Sequence, residues 1–218
     1  MHLSNYIGKY WTGAEVIYAV IIAMTFTSVL RTYIAIPVGS YFPIIYSALF
    51  CCIAWGIADG SFYIWERNYN LGIENNIIDI CKSDLKGEAA IPLISEQLEN
   101  TIISNISEEK RLELYRDLTL HLAATGKKET VSTRDALNII LGTSLISTAS
   151  GIIVVLPFFL ADKLIHALAM SNLLGILLLF ITGYYRTYEK DLYGKVRSGF
   201  GTTVIGMSIA AITIVLGG

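Results

Sequence analysis

Residues 43–65 read PIIYSALFCCIAWGIADGSFYIW, twenty-three residues with one formal charge, Asp59. At ~1.5 Å of rise per residue, a helix of this length covers a hydrocarbon layer of about 30 Å. The pattern changes abruptly at Glu66. Residues 66–135 hold 13 acids and 9 bases, so 22 of the chain's 34 charges fall in that block. Apolar runs of spanning length recur on either side, at roughly 14–36, 136–160, 164–185 and 198–217. The expected fold is therefore an all-α membrane protein. Five transmembrane helices carry a cytoplasmic helical insert between the second and third. The chain divides into an N-terminal arm with two spans (1–65), the insert (66–135) and three further spans (136–218).

The whole composition agrees with this division. Only 16% of the 218 residues are charged, against about a quarter in an ordinary soluble domain. Sixteen bases and 18 acids give a net charge of −2, too balanced for a surface that tracks nucleic-acid phosphates. Three cysteines, two of them adjacent at Cys51 and Cys52, form neither a metal spacing nor a disulfide framework. No Ser/His/Asp arrangement, phosphate loop or two-metal His/Asp cluster marks an enzyme, and no cofactor is expected.

The bases set the orientation. Lys9, nine bases of the insert, and Arg186, Lys190, Lys195 and Arg197 total 14 on one side. The opposite loops hold Lys163, while Arg31 lies in the outer part of the first span and can snorkel to the interface. The positive-inside rule puts the N-terminus and the insert in the cytoplasm and the C-terminus on the other side. Lys9 and Trp11 precede a full-length span, the pattern of an anchor rather than a cleaved leader. Tyr10, Trp11, Tyr41, Tyr63, Trp65, Tyr184 and Tyr185 fall near the expected interfaces, where an amphipathic ring is stable.

Within the insert, helical spacing predicts segments near 69–82, 91–103 and 108–125. Ser107 suits an N-cap, Glu108 and Glu109 the first turn, and Gly126 a stop. Leu114, Tyr115, Leu118 and Leu122 form the apolar stripe of the third segment. Ser132 and Asp135 resemble a capping box opening the third span. Seventy residues in three short helices make a thin core, to be completed by self-packing, a second subunit or the membrane surface. Glu109, Glu113, Asp117 and His121 recur every four residues on that third helix. Carboxylates and an imidazole on one face could hold a divalent metal. The plain alternative is a solvated polar flank.

Ionisable groups inside a membrane are costly and mark functional sites. Asp59 is the first such candidate. Cys52, Asp59, Tyr63 and Glu66 share a stripe suited to a path for a divalent cation, with Glu66 at its entrance. The alternative for Asp59 is a structural carboxyl held by hydroxyls or water beside Gly60. Met24 with Ser28, and His166 with Met170, line faces of the first and fourth spans and are either soft ligands or packing residues. The rows Thr143/Ser147/Gly151, Ser171/Gly175 and Thr202/Gly206/Ala210 permit close helix approach. Pro157 is placed to kink or end the third span.

This layout resembles the vacuolar iron transporter family. The likeness rests on Ala58-Asp59-Gly60, the acidic insert, Ser132-Thr133-Arg134-Asp135, Leu156-Pro157-Phe158-Phe159, Ser171-Asn172 and Gly183-Tyr184. The resemblance implies transport of Fe²⁺ and Mn²⁺ out of the cytosol, usually against protons. It also implies a homodimer, a path along the first two spans, and metal collection by insert glutamates. In the family the Asp-Gly pair lies in the first span, with Glu and Met in the second. Here it lies in the second span, which lacks Met, and the first span reads as free of internal acid. Only Asp59 carries over by motif; Glu66, Met24 and Cys52 are chosen by chemistry. The expected function is a divalent-metal transporter in contact with lipid. The alternative is a non-transporting dimeric scaffold or regulator whose insert binds a partner.

Overall fold

A computed structural model describes residues 4–33, 40–84 and 88–215. They form eight helices: α1 (Ser4–Val29), α2 (Phe42–Ser83), α3 (Ile91–Leu98), α4 (Glu108–Ala123), α5 (Thr133–Val155), α6 (Pro157–Leu160), α7 (Leu164–Arg186) and α8 (Leu192–Val215). Short 3₁₀ turns lie at Leu30–Tyr33 and Ile102–Asn105. No strand occurs among the described residues. Five helices, α1, α2, α5, α7 and α8, are long and apolar enough to cross a membrane.

Two compact units emerge, residues 1–63 with 133–218, and residues 64–132. Helix α2 contributes to both, running 42 residues without a break where the composition changes at 66. A helix backbone bonds to itself, so a switch from apolar to charged side chains does not interrupt it. The segment expected at 69–82 is thus the continuation of the second span. Pro157 acts as anticipated: α5 ends at Val155 and the single turn α6 begins at the proline. Gly8, at φ 72°, bends the start of α1, and the span proper is Tyr10–Val29. The far ends expected for the first and fifth spans, at 34–36 and 216–217, lie outside the described residues.

In the first unit α1 is the central element. Half of its spanning window is buried, against 22% for α2 and for α8. A helix with large apolar stretches on most of its faces belongs in the middle. Ala19, Val20, Ala23 and Met24 meet Ile45, Ala48 and Cys52 of α2, Val154 and Val155 of α5, and Ala167, Leu168 and Leu179 of α7. Outward faces keep large apolar residues exposed, among them Phe50 and Phe62 on α2, Leu141 and Leu145 on α5, and Val204 and Ile205 on α8. These faces suit acyl chains.

Small residues bring α2 and α5 together. A Cβ added to Gly56 would fall 2.5 Å from the Cα of Ser144, and one on Gly60 would fall 2.9 Å from the Cα of Ile140. At that separation the Thr143 hydroxyl donates to the Gly56 carbonyl at 2.7 Å, and Ser147 donates to the Cys52 carbonyl at 2.8 Å. Close backbone approach and interhelical hydrogen bonds replace the hydrophobic drive that lipid cannot supply. The Thr143/Ser147/Gly151 row therefore works inside one subunit.

The second unit has a small core of Ile77, Cys81, Ala90, Ile94 and Tyr115, joined by Leu118 and Leu122. Leu114, counted in the expected stripe, is 40% exposed because it lies at the flank of that face. Residues 127–131 return alongside α2. Asn75 takes the Lys128 N–H at 2.8 Å and donates to the Lys128 carbonyl at 2.9 Å, and Asn68 accepts from Val131 N–H at 2.9 Å. Lys127–Asp79 and Lys128–Glu74 ion pairs flank these contacts. Three local expectations need correction. The second helix stops at Leu98, where Thr101 opens a 3₁₀ turn. Ser107 stands at the N-cap of α4 but makes no side-chain cap hydrogen bond; its carbonyl accepts from Arg111 N–H. Helix α4 ends at Ala123, where the Ala124 and Thr125 N–H groups bond the His121 and Leu122 carbonyls, before Gly126 is reached.

Candidate functional site

The seam between α1 and α2 is built in layers. Trp11 meets Tyr63 edge-on with ring centroids 5.9 Å apart, and Tyr18 meets Trp55 likewise at 5.6 Å. Further along, the Cys52 thiol donates to the Ala19 carbonyl at 3.6 Å. The residue numbers rise on α1 as they fall on α2, the register of two antiparallel helices. Between the two aromatic layers lies a pair of carboxyls, Glu15 and Asp59, within hydrogen-bonding reach of each other.

Glu15 corrects the sequence reading that left the first span free of internal acid. With the span starting at Tyr10, Glu15 sits more than a turn inside it, and the side chain has no exposed surface. Neither of its oxygens finds a hydrogen-bond donor among the described residues. Neither carboxyl is paired with Lys, Arg or His there. Asp59 is partly exposed, and Gly60 beside it packs on Thr143 and Ile140 of α5, which holds that turn of α2 in place. Trp11, Glu15 and Tyr18 share a face of α1 at helical spacing, as Trp55, Asp59 and Tyr63 do on α2. That repeated aromatic–acid–aromatic pattern was the available signal.

Two carboxyls brought together beside an apolar layer are a costly arrangement, because like charges repel and Glu15 has no exposed surface. A proton shared across the pair, or a divalent cation between them, resolves both costs. Carboxylate oxygens of this type suit hard divalent cations, with water completing the shell.

The other candidates fall elsewhere. Met24 is buried, with its sulfur against Gly175 of α7, where an added Cβ would lie 2.5 Å away. Cys52 is fully buried, bonded to Ala19 and packed on Gly151. Glu66 is exposed on α2, two turns beyond Asp59. Glu109, Glu113, Asp117 and His121 are all exposed along α4. Among the described residues no three His, Cys, Asp or Glu side chains converge as a metal-holding group. His166 and Met170 lie on an exposed face of α7, and Arg31 is exposed in the 3₁₀ turn after α1.

A family model described as the VIT family matches residues 87–218, well over half of the chain. The chain belongs to the VIT family, the vacuolar iron transporters. VIT proteins are membrane transporters of metal ions, and with five apolar helices this one is an integral multi-pass membrane protein. No curated protein and no solved structure matches it. The VIT match covers α3 to α8, so Glu15 and Asp59 both precede the matched residues.

Proposed function

We propose that this VIT protein carries a divalent transition-metal ion, Fe²⁺ or Mn²⁺, along the α1–α2 seam, with Glu15 and Asp59 as the ion site. The observation that supports the reading most is the abutment of two carboxyls, one fully buried, with no basic partner among the described residues. An ion pathway is the physical reason to retain such a costly pair. The pair takes either protons or one divalent ion, which fits exchange of metal for protons. The two aromatic layers close the seam on either side of the carboxyls and restrain water.

Glu66 serves as an entrance carboxylate. Met24 and Cys52 shape the seam's neighbourhood and touch the ion only if the helices shift. The α4 row, Glu109, Glu113, Asp117 and His121, attracts cations and becomes a site when a second copy faces it in a homodimer. The distribution of bases supports a cytoplasmic N-terminus and insert with the C-terminus opposite.

The test is metal flux into proteoliposomes with an internal pH dye. Asp59→Asn and Glu15→Gln proteins should each lose Mn²⁺-driven flux and its proton counterflow. Wild-type rates in both variants would sink the assignment.

A further inference from the structure

Arg186 ends α7, beside the first turn of the α1 span. Its guanidinium carbon lies 3.7 Å from the centroid of the Tyr10 ring. The side chain can lie flat on α1 because residue 13 is glycine: a Cβ there would fall 2.8 Å from Arg186 Cδ. Stacking occupies one face of the guanidinium and leaves its edges. Arg186 makes no hydrogen bond or ion pair with any described residue, and its Nε is shielded from solvent.

Two cavities, of about 410 and 340 Å³, meet at this side chain. One runs between α1 and α7 past Val16 and Ile181, and the other along α1 past Ala14 and Ile17. No acidic residue lines either. Tyr10 and Tyr185 at their mouths are 67% and 75% exposed, as interfacial rings are. The site thus has a fork of donors unpaired among the described residues, at the end of a spanning helix, with two open, largely apolar clefts beside it.

We propose that Arg186 and its two flanking cavities bind an anionic glycerophospholipid. The guanidinium edge takes the phosphodiester, for which its planar fork is matched. The cavities take the glycerol and the first part of an acyl chain. A free phosphate would gain nothing from the apolar clefts. The anionic preference follows from the adjoining segment, since residues 186–197 carry four bases against two acids.

The test uses the full-length protein in phosphatidylcholine nanodiscs with and without phosphatidylglycerol, read by native mass spectrometry and thermal melting. The wild type should retain one phosphatidylglycerol in preference to phosphatidylcholine and melt higher with it. Arg186→Gln should weaken that retention about fivefold to tenfold, the scale of one basic group at the interface. Arg186→Lys, which keeps charge but loses the fork, should fall between. Absence of a phosphatidylglycerol preference in the wild type overturns the proposal whether or not the variants fold. Unchanged retention in Arg186→Gln overturns it too. If inorganic phosphate in pure phosphatidylcholine raises the melting temperature as phosphatidylglycerol does, the site reads free anion and the lipid assignment fails.

Discussion

The molecule holds two acidic arrangements that differ in almost every physical respect. On α4, Glu109, Glu113, Asp117 and His121 line up on one face and stay in water. On the α1–α2 seam, two carboxyls from different helices meet, and one of them has no exposed surface. A row along one helix keeps each charge solvated and separate, so its members act weakly and nearly independently. A pair brought together across two helices shares one fate. Regular spacing is visible in a sequence, whereas convergence and burial appear only on folding.

Substitutions can break or refine this contrast. The largest effect should come from the seam. Removing one of two paired carboxyls from an ion site should cost on the order of 2.7 kcal/mol, about a hundredfold in ion affinity. Asp59→Asn and Glu15→Gln should each show that loss in Mn²⁺ titrations, and the double variant should be little worse than either, because the pair acts as one unit. Glu113→Gln with Asp117→Asn should cost about tenfold at most, through the weaker pull of a solvated face. Equal losses from both regions would erase the difference between them.

Stability separates the two regions as well. Gly56→Leu should destabilise the membrane unit by about 3 kcal/mol or more, since the new side chain meets backbone rather than a yielding side chain. Lower yield and a lowered melting temperature in detergent are the readouts. Asn75→Ala should cost the second unit about 1 kcal/mol. Faster hydrogen exchange confined to residues 127–131, with α5 and α7 unchanged, is the signature to look for. Thr143→Val should cost only ~0.6 kcal/mol, the average for an interhelical hydrogen bond in a membrane.

Length and polarity alone reveal much of this fold. The apolar runs identify the five spans, and Pro157 marks a true break, because both act locally. Glu15 is hard to recognise in the sequence because the apolar run begins near residue 14, which makes an acid at 15 look like an edge charge. The helix in fact starts earlier and bends at Gly8. Asp59 was legible as an isolated charge in an apolar run, but its partner lies 44 positions away and only packing brings them together. The return of residues 127–131 onto Asn68 and Asn75 is hidden for the same reason. Asparagines on a helix carry no sign of the backbone they will hold.

The intimate fit of α2 on α5 bears on how this protein can be recombined. Helix α2 begins before the residues matched by the VIT model, and α5 lies inside them. The joint between them is made of backbone against backbone at Gly56 and Gly60, with Thr143 and Ser147 on the receiving side. A chimera that transplants α1 and α2 into another member's α5–α8 frame therefore inherits a steric key as well as the Glu15–Asp59 pair. It will assemble only where the host offers equally small residues at the positions of Thr143, Ser147 and Gly151.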